Sequence, residues 1–261
     1  MTSQQRTHEV LSDIIDSVNA QLDKHGVTYD EYRAGLDWLI RLGHAGEWPL
    51  FADVFFEHTV EAVNATGPGS TIEGPYYVAG APWLERPYVL PQRDDEAGDV
   101  LILSGTVLSA EGSPVPGAVL DLWQADADCL YSNVHDGPPA FNLRGRMTAD
   151  GNGRFEVRTI VPPSYHLPRG GPVEELLNAA GWHDWRPGHL HFMVSAEGYE
   201  SLTTQLYFEG DRYLESDIAS AVKPELILSL RKHDDPAELS ERGLSRPFYS
   251  TSHEFRLTPA G

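Results

Sequence analysis

Apolar side chains at the start of the chain recur every three or four residues, the spacing of one helix face. HEVLSDIIDSVNAQLDKHG carries such a series and ends at a glycine, a residue that often terminates helices: Val10, Leu11, Ile14, Ile15, Val18, Leu22 and Gly26. TYDEYRAGLDWLIRLG begins with Thr28 and Glu31 in the spacing of a helix capping box and ends at Gly43. EWPLFADVFFEHTVEAVN predicts a third helix. We therefore expect a helical region at residues 1–70.

The pattern changes after a segment rich in glycine and proline, NATGPGSTIEGPYYVAGAP. Short β-branched runs then alternate with turn sequences such as AEGSPVPG and ADGNG. The runs are DVLILSGTVLS, GAVLDLWQAD, GRFEVRTIV, HLHFMVSAEG, LTTQLYFEGD, PELILSLRK and STSHEFRLT. This arrangement is typical of an antiparallel β-sandwich. We expect a mainly β protein in which residues 71–261 form the sandwich domain.

Composition narrows the classes of partner. The chain has 39 acidic and 19 basic side chains, and its net charge of -20 disfavours nucleic acids and anionic membranes. It contains a single cysteine, Cys129, so an intrachain disulfide is not possible. The N-terminus lacks the apolar core of a signal peptide, and no apolar run is long enough to cross a bilayer. We expect a cytoplasmic protein with no nucleic-acid or membrane partner.

The segment DWRPGHLHFMV places two histidines at the start of an apolar run. Because side chains alternate along a strand, His189 and His191 are expected on one face, converging on one point. Such a pair either binds a metal or forms ordinary polar surface, and the pattern alone leaves both open. Zinc is the default metal, but a zinc hydrolase needs a third His or carboxylate ligand, for which HDDPAE at residues 233–238 offers candidates.

Two tyrosines occupy segments in which predicted strands end. Tyr131 closes DLWQADADCLYSN, and Tyr165 follows two prolines in TIVPPSYHLP. Each alone is typical of a half-buried aromatic residue with a hydrogen-bonded hydroxyl. Phenolate is also a hard, strongly donating ligand that prefers ferric iron. Two tyrosines and two histidines around one Fe(III) would give a nearly neutral site with room for hydroxide.

Long motifs in a fixed order resemble the intradiol ring-cleavage dioxygenases. They are TIEGPYYVAGAP, LDLWQADADCLYSN, FNLRGRMTADGNGRFEVRTIVPPSY and GPVEELLNAAGWHDWRPGHLHFMVSAEGYESLTTQLYFEGD. The resemblance covers almost the whole chain and looks closest to the catechol 1,2-dioxygenase branch. It implies non-haem Fe(III), a β-sandwich catalytic domain and a helical N-terminal domain that forms a homodimer, with room for a phospholipid in a tunnel at the interface.

The resemblance implies four iron ligands. Tyr131 and His189 correspond to the equatorial ligands, and Tyr165 and His191 to the axial ones. A catechol chelates one metal when both of its hydroxyls lose their protons, and ferric iron lowers the pKa of those hydroxyls. Tyr165 is expected to leave the metal and accept one of these protons, so it would also be a general base.

The resemblance also implies catalytic and substrate-binding residues. Arg186, which matches the family's RP-x-H-x-H stretch, is expected to stabilise charge that develops on the ring, and Gln205 in LTTQLYF is expected to pack near it. Cys129 stands beside Tyr131 where glycine or a small polar residue is expected. The expected substrate pocket consists of Ile72, Pro75, Tyr76, Tyr77, Arg186, Ile218 and Ala219.

The implied reaction cleaves catechol between its two hydroxylated carbons with O2 to give cis,cis-muconate. Hydroxyquinol and chlorinated catechols are alternative substrates, because one or two pocket side chains separate these preferences. The residues alone leave two other classes open: a zinc hydrolase, and a non-enzymatic β-sandwich carrier, which GTVLSAEGSPVPGAVLDLW would suit. Tyrosinate bound to Fe(III) predicts a burgundy protein, whereas the other two classes predict a colourless one.

Overall fold

The computed structural model describes residues 2–261, and the predicted helical region is present. Its helices are α1 (Ser3–Lys24), α2 (Tyr29–His44), α3 (Trp48–Phe55) and α4 (Glu57–Asn64). The predicted capping box starts α2: the Thr28 hydroxyl accepts from the N–H of Glu31, and the Glu31 carboxylate accepts from the N–H of Thr28 at 2.8 Å. A second capping box, between Thr2 and Gln5, starts α1 ahead of the predicted apolar series.

The third predicted helix is two helices that meet at Phe56. This residue departs from helical geometry, with φ of -126° and ψ of -27°. Its ring packs edge-on against Phe51, with centroids 5.4 Å apart. The Glu57 carboxylate accepts hydrogen bonds from the N–H groups of Glu73 at 2.8 Å and Gly74 at 3.1 Å. The break therefore ties α4 to the segment that precedes the sheets.

Within residues 2–261, strands form two five-stranded sheets and one two-stranded sheet. In chain order they are β1 (Tyr88–Val89), β2 (Val100–Ser109), β3 (Val119–Trp123), β4 (Arg144–Thr148), β5 (Arg154–Ile160), β6 (Tyr165–His166), β7 (Trp185–Arg186), β8 (His189–Ser195), β9 (Leu202–Phe208), β10 (Ile227–Leu228), β11 (Arg231–His233) and β12 (Phe248–Leu257). One sheet has the order β1-β5-β2-β12-β11 and the other β10-β9-β8-β3-β4, while β6 pairs with β7. Two further helices are α5 (Pro172–Ala180) and α6 (Pro236–Glu241).

All seven predicted runs contain strand residues, and six of them hold a strand of five or more residues: β2, β3, β5, β8, β9 and β12. The seventh, residues 224–232, is a 3-10 turn at Pro224–Leu226 followed by the short strand β10 and the start of β11. A proline lacks the N–H that a ladder needs, which accounts for the turn at its start. Strand β4 was not predicted, because RGRMT has too few apolar residues to give a strand pattern.

The expectation of purely antiparallel sheets is wrong. Strand β12 runs parallel to β2 over their full length, and β1–β5 and β9–β10 are also parallel pairs. A parallel pair needs a long crossover, and most of the β-region separates β2 from β12 in the chain. Both five-stranded sheets are therefore mixed.

The two large sheets share one hydrophobic core. Phe155 on β5 and Phe255 on β12 come from one sheet, and Phe192 on β8 comes from the other. Their rings are in contact: the Phe192 centroid lies 4.9 Å from that of Phe255 and 6.4 Å from that of Phe155. One face of β8 therefore packs into this core.

A second apolar cluster joins the helical region to the segment around α5. It consists of Leu42, Leu50, Val54, Leu167, Val173 and Leu177. The indole N–H of Trp38 donates to the carbonyl of Pro172 at 2.7 Å. Helix α5 was not predicted; it starts with Pro172 and ends at Gly181, whose φ of +67° suits glycine. No helix within residues 2–261 is both long and apolar enough to span a membrane.

Candidate active site

Strand β8 presents His189 and His191 on the face opposite the shared core. Both side chains are buried, at 1% exposure, and their Nε2 atoms lie 2.9 Å apart. Leu190 and Phe192, which alternate with them, belong to the core. The convergence expected from the two-residue spacing is present in the structure.

Burial and hydrogen bonding set the protonation state of these histidines. Nδ1 of His189 lies 2.8 Å from the carbonyl oxygen of Pro187, so Nδ1 carries the proton and Nε2 keeps its lone pair. Burial, followed by the charge of Arg186, lowers the pKa of His189 to about 3. Burial likewise lowers the pKa of His191, whose ring stacks on Trp123 with centroids 4.7 Å apart. Both imidazoles are therefore neutral at ordinary pH, the state that binds metals.

Two buried tyrosines complete a compact group with the histidines. The hydroxyl of Tyr131 lies 3.4 Å from His191 Nε2, and its ring centroid lies 5.7 Å from that of Tyr165. The ring of Tyr165 lies 5.6 Å from that of His189. Pairing between β6 and β7 sets Tyr165 directly opposite Arg186. The structure thus brings together all four predicted iron ligands.

The chemistry of these donors fits ferric iron. Burial raises the pKa of Tyr131 and of Tyr165, and the charge of Arg186 only partly offsets it. A trivalent cation among the four side chains would favour the phenolates, because a close positive charge stabilises the ionised form. Two neutral imidazoles and two phenolates are a donor set suited to Fe(III). Within residues 2–261, no group of three or more His, Cys, Asp or Glu side chains is placed to hold a metal.

Arg186 lies beside the ligand group. Its Nη1 is 3.5 Å from the Tyr165 hydroxyl and 3.4 Å from His189 Nε2. Its Nη2 donates to Gln205 Oε1 at 2.9 Å, and the Gln205 amide nitrogen donates to the carbonyl of Ile72. The predicted contact between the arginine and the glutamine is therefore present, next to Tyr165.

Asp217 is a partner of Arg186 that the sequence analysis missed. Its carboxylate accepts from Arg186 Nε at 2.9 Å and from Nη2 at 3.0 Å, and the two side chains are only 2% and 4% exposed. Burial alone would raise the pKa of Asp217, but the charge and hydrogen bonds of Arg186 outweigh burial and lower it. No local signal marks Asp217 among the 39 acidic residues, because its partner lies 31 positions away.

A small cavity lies beside Tyr165 and Arg186. Five of the expected pocket residues line it: Ile72, Pro75, Tyr76, Arg186 and Ala219. Tyr165, Leu167 and the α3 residues Leu50, Asp53 and Val54 complete the lining. The helical region, which the sequence analysis assigned to dimerisation alone, thus forms part of the cavity wall.

Two expected pocket residues lie outside this lining. The Tyr77 hydroxyl lies 3.3 Å from the Asp121 carboxylate, to which it donates, and its ring packs on Trp123. Ile218 packs against the cluster that joins α2 and α3 to α5. Each is next to a lining residue in the chain, Tyr76 and Ala219 respectively, so a resemblance between segments could not separate the neighbours.

The loop that presents Tyr131 explains why Cys129 is unexpected. Cys129 has a φ of +67°, in the left-handed region that favours glycine. The Asp126 carboxylate accepts from the N–H groups of Asp128 at 3.0 Å and Leu130 at 2.9 Å, which holds the loop on both sides of Cys129. The loop therefore keeps its shape with cysteine in place of glycine.

Comparison with known proteins identifies the family. The domain described as "Dioxygenase" matches residues 72–259, and that described as "Catechol dioxygenase N terminus" matches residues 4–71. A chlorocatechol 1,2-dioxygenase of Rhodococcus opacus is 41% identical over 239 residues, which cover 89% of this chain and 93% of that protein. The chain belongs to the intradiol ring-cleavage dioxygenase family. Such enzymes generally depend on non-haem iron, in agreement with the donor set described above.

Solved structures of intradiol dioxygenases share this fold. The 3-chlorocatechol 1,2-dioxygenase from Rhodococcus opacus 1CP matches with a TM-score of 0.93 and 48% identity, covering 99% of this chain and 100% of that one. A catechol 1,2-dioxygenase from Acinetobacter sp. ADP1, inhibited by bound mercury, matches with a TM-score of 0.86 and 35% identity, covering 100% of this chain and 88% of that one. These similarities favour the chlorocatechol branch over the catechol branch, to which the sequence motifs pointed.

Neither alternative class suits this intradiol dioxygenase. The further ligand that a zinc hydrolase would take from residues 233–238 is engaged elsewhere: the ring nitrogens of His233 contact Glu238 at 2.8 Å and Ser250 at 2.7 Å. A carrier would not need a buried arginine beside four converging ligands. Family membership and the site geometry both indicate an enzyme.

Proposed function

We propose that this protein is a chlorocatechol 1,2-dioxygenase that cleaves the ring between the two hydroxylated carbons with O2 to give the corresponding cis,cis-muconate. One observation carries the reaction class: Tyr131, Tyr165, His189 and His191 converge beside a cavity whose wall contains Arg186. Catechol, the first expectation from the sequence, becomes a secondary substrate. The metal-binding, catalytic and pocket assignments above are part of this proposal.

The residues divide the work of the reaction. Bound Fe(III) would hold both oxygens of the diol and lower their pKa. Tyr165 lines the cavity, so as a phenolate it can accept a substrate proton, and Arg186, always charged, can stabilise negative charge on the ring. His189 and His191 supply neutral nitrogen donors.

Two observations support a chlorinated ring as substrate. This chain is 48% identical to a 3-chlorocatechol 1,2-dioxygenase and 35% identical to a catechol 1,2-dioxygenase. In the cavity wall, Leu50, Val54 and Ala219 offer apolar surface, which suits chlorine. The additional hydroxyl of hydroxyquinol would need a polar partner. Asp53, the acidic side chain in that wall, could supply it, so hydroxyquinol is the second candidate substrate.

Steady-state kinetics on the iron-loaded protein test the substrate. Oxygen uptake would be measured with 3-chlorocatechol, 4-chlorocatechol, catechol and hydroxyquinol. We expect kcat/KM to be highest for one of the chlorocatechols. A higher value for catechol or hydroxyquinol than for both chlorocatechols contradicts the proposed substrate and leaves the reaction class intact.

A matched pair of variants tests the role of the cavity wall. Ala219→Val adds two methyl groups to a lining residue, whereas Ala196→Val adds them to a partly buried alanine that packs against the shared core of the sheets, outside the lining. We expect Ala219→Val to lower kcat/KM for the preferred chlorocatechol relative to catechol by roughly 10-fold. Ala196→Val should leave that ratio unchanged. The same ratio in both variants contradicts the assignment of Ala219.

We also propose that residues 1–70 form the homodimer interface and residues 71–261 a two-sheet catalytic sandwich. Helix α1 exposes about half of each of four apolar side chains: Leu11 53%, Ile14 53%, Ile15 57% and Val18 52%. A contiguous apolar surface of this kind favours burial against a second copy. A phospholipid at this interface, which the family resemblance implies, would cover part of the same surface.

A further inference from the structure

The Asp217 carboxylate is held by four hydrogen bonds. Oδ1 accepts from Arg186 Nε at 2.9 Å and from the N–H of Ala219 at 3.2 Å. Oδ2 accepts from Arg186 Nη2 at 3.0 Å and from the N–H of Ala221 at 3.2 Å. Two of these bonds fix the guanidinium, and two fix the chain that follows Asp217. Such a two-point contact sets the orientation of an arginine as well as its position.

A second anchor lies on the same side of Arg186. Nη2 donates to Gln205 Oε1 at 2.9 Å, and the Tyr207 hydroxyl donates to the same oxygen at 2.7 Å. With Nε and Nη2 engaged, Nη1 is the nitrogen that faces Tyr165 at 3.5 Å and His189 at 3.4 Å. One side of the guanidinium is therefore hydrogen-bonded to Asp217 and Gln205, and its other side faces the four proposed iron ligands.

Asp217 also holds part of the cavity wall. Ala219 lines the cavity, and the next residue, Ser220, has a φ of +52° in the left-handed region. A residue other than glycine keeps such a conformation when surrounding contacts impose it. The hydrogen bonds from Ala219 and Ala221 to Asp217 lie on either side of Ser220 and impose it here. One carboxylate thus sets both the arginine and the wall.

We propose that Asp217 is a positioning residue for ring cleavage: by holding Arg186 and Ala219 together, it sets Nη1 of Arg186 against Tyr165 and the reacting ring. This inference rests on the proposed function. A carboxylate that served folding alone would, when changed, lower stability and leave the turnover of the folded, iron-loaded protein unaltered. A positioning residue instead lowers kcat while the metal ligands keep their iron.

Asp217→Asn provides the first test. The amide keeps the size of the side chain and one acceptor oxygen but removes the charge, and its NH2 group can face the arginine. We expect wild-type iron content and tyrosinate absorption, little change in KM, and a kcat lowered by about 10- to 100-fold. The control is Glu61→Gln, which breaks the ion pair in which Lys223 Nζ lies 2.9 Å from Glu61 Oε2. This variant should keep the wild-type kcat. An unchanged kcat in iron-loaded Asp217→Asn would overturn the proposal.

A double-mutant cycle shows whether Asp217 acts through Arg186. In an Arg186→Gln background, Asp217→Asn should cause little further loss of kcat, because the group it positions is already absent. A further loss equal to that of Asp217→Asn alone would overturn the proposal. An inactive wild-type enzyme would contradict the proposed function, whereas an active wild type with additive losses would contradict only the role of Asp217.

Asp217→Glu serves if the asparagine variant does not fold. It keeps the charge but displaces the carboxylate by one methylene, so the contacts with Arg186 and with the Ala219 N–H cannot all be kept. We expect normal iron content and a kcat between that of the wild type and that of Arg186→Gln. A wild-type kcat in this variant would also overturn the proposal.

Discussion

The protein itself sets the neutral state of His189 and His191. Burial is the largest cause of their lowered pKa values, and the hydrogen bond from His189 Nδ1 to Pro187 aims the lone pair of Nε2 at the other ligands. Neither imidazole has a proton to lose when a metal binds. The two phenols, whose pKa values burial raises, are the groups that release protons.

Removing either histidine should therefore remove most of the metal. His189→Ala and His191→Ala each delete a neutral nitrogen donor that no nearby side chain replaces, and changes even to groups that only orient ligands cost about 10- to 100-fold in metal affinity. Iron analysis and the visible spectrum would show the loss of iron and colour. His183→Ala, at an exposed position, is the control. Normal iron content and activity in both site variants would contradict the assignment.

The two tyrosines should differ in their roles. Tyr165 lines the cavity beside Arg186, whereas Tyr131 lies under the ring of Tyr76, with centroids 4.6 Å apart. We expect Tyr165→Phe to keep some colour and to bind substrate but to turn over slowly, because a proton acceptor is missing. Tyr131→Phe should shift the visible band both before and after substrate binding.

Visible spectra before and after anaerobic addition of substrate, followed by oxygen uptake, separate the two roles. The wild-type tyrosinate signal should fall to that of one phenolate when substrate binds. A signal that stays at two phenolates would contradict the role of Tyr165 as the departing base, even with the iron site itself intact.

Helix α1 carries an apolar face that its own chain leaves exposed. Ile14 and Val18 lie one turn apart on this face, so Ile14→Glu with Val18→Glu would place two charges in the proposed dimer interface. We expect sedimentation to show a dimer for the wild type and a monomer for this variant. Ser17→Glu with Asn19→Glu adds the same charge at exposed polar positions of the helix and should remain dimeric. A wild type that is monomeric at every concentration would contradict the interface.

Strand β12 carries a histidine that should make stability depend on pH. The ring of His253 lies 4.8 Å from that of Phe255, and burial lowers its pKa from 6.5 to about 4. Between these values the unfolded chain takes up a proton that the folded protein does not. His253 therefore costs no stability above pH 6.5, and stability is lost as the pH falls from 6.5 towards 4.

His253→Gln should remove this contribution. Urea unfolding at pH 7 and pH 5 should show a smaller decrease in the free energy of unfolding for the variant than for the wild type, by roughly 1 kcal/mol for a partly buried group. His8→Gln, on the exposed surface of α1, is the matched control. An identical decrease in His253→Gln and in the wild type would contradict this account.

Local patterns predicted the elements better than their pairing. The positions of His189 and His191 follow from the two-residue period of a strand, and the capping box of α2 from four consecutive residues, Thr28 to Glu31. The parallel pairing of β12 with β2 depends on where a long excursion of the chain ends, which no short segment encodes. Helix α5 was not predicted because its nine residues are too few for the apolar spacing of a helix to repeat over several turns.

In the candidate site, too, some residues could be predicted from local motifs and others could not. The four proposed iron ligands lie in motifs whose order could be recognised, so the structure brings together residues that the sequence had already singled out. Asp217 and the α3 residues Leu50 and Val54 reach the site only through tertiary packing. The proposed substrate preference depends on such wall residues, which no short motif encodes. The sequence motifs pointed to catechol, whereas the comparisons favour chlorocatechol.

Across the whole molecule, the helical region and the sheets build one site. Leu50 and Val54 of α3 belong both to the cluster with Val173 and Leu177 of α5 and to the cavity wall. The same helical region exposes the apolar face proposed for dimerisation. The helical region thus contributes to the cavity wall through α3 and to the proposed dimer interface through α1.

Analysis of the product formed from 3-chlorocatechol under 18O2 tests the central claim most directly. The iron-loaded protein should consume one O2 per substrate and form 2-chloro-cis,cis-muconate with one 18O atom in each new carboxylate. Mass spectrometry would count the labelled atoms, and the absorption spectrum would distinguish the muconate from a semialdehyde. A semialdehyde from cleavage outside the diol, a muconate without 18O, or no ring cleavage by the iron-loaded protein would contradict the account.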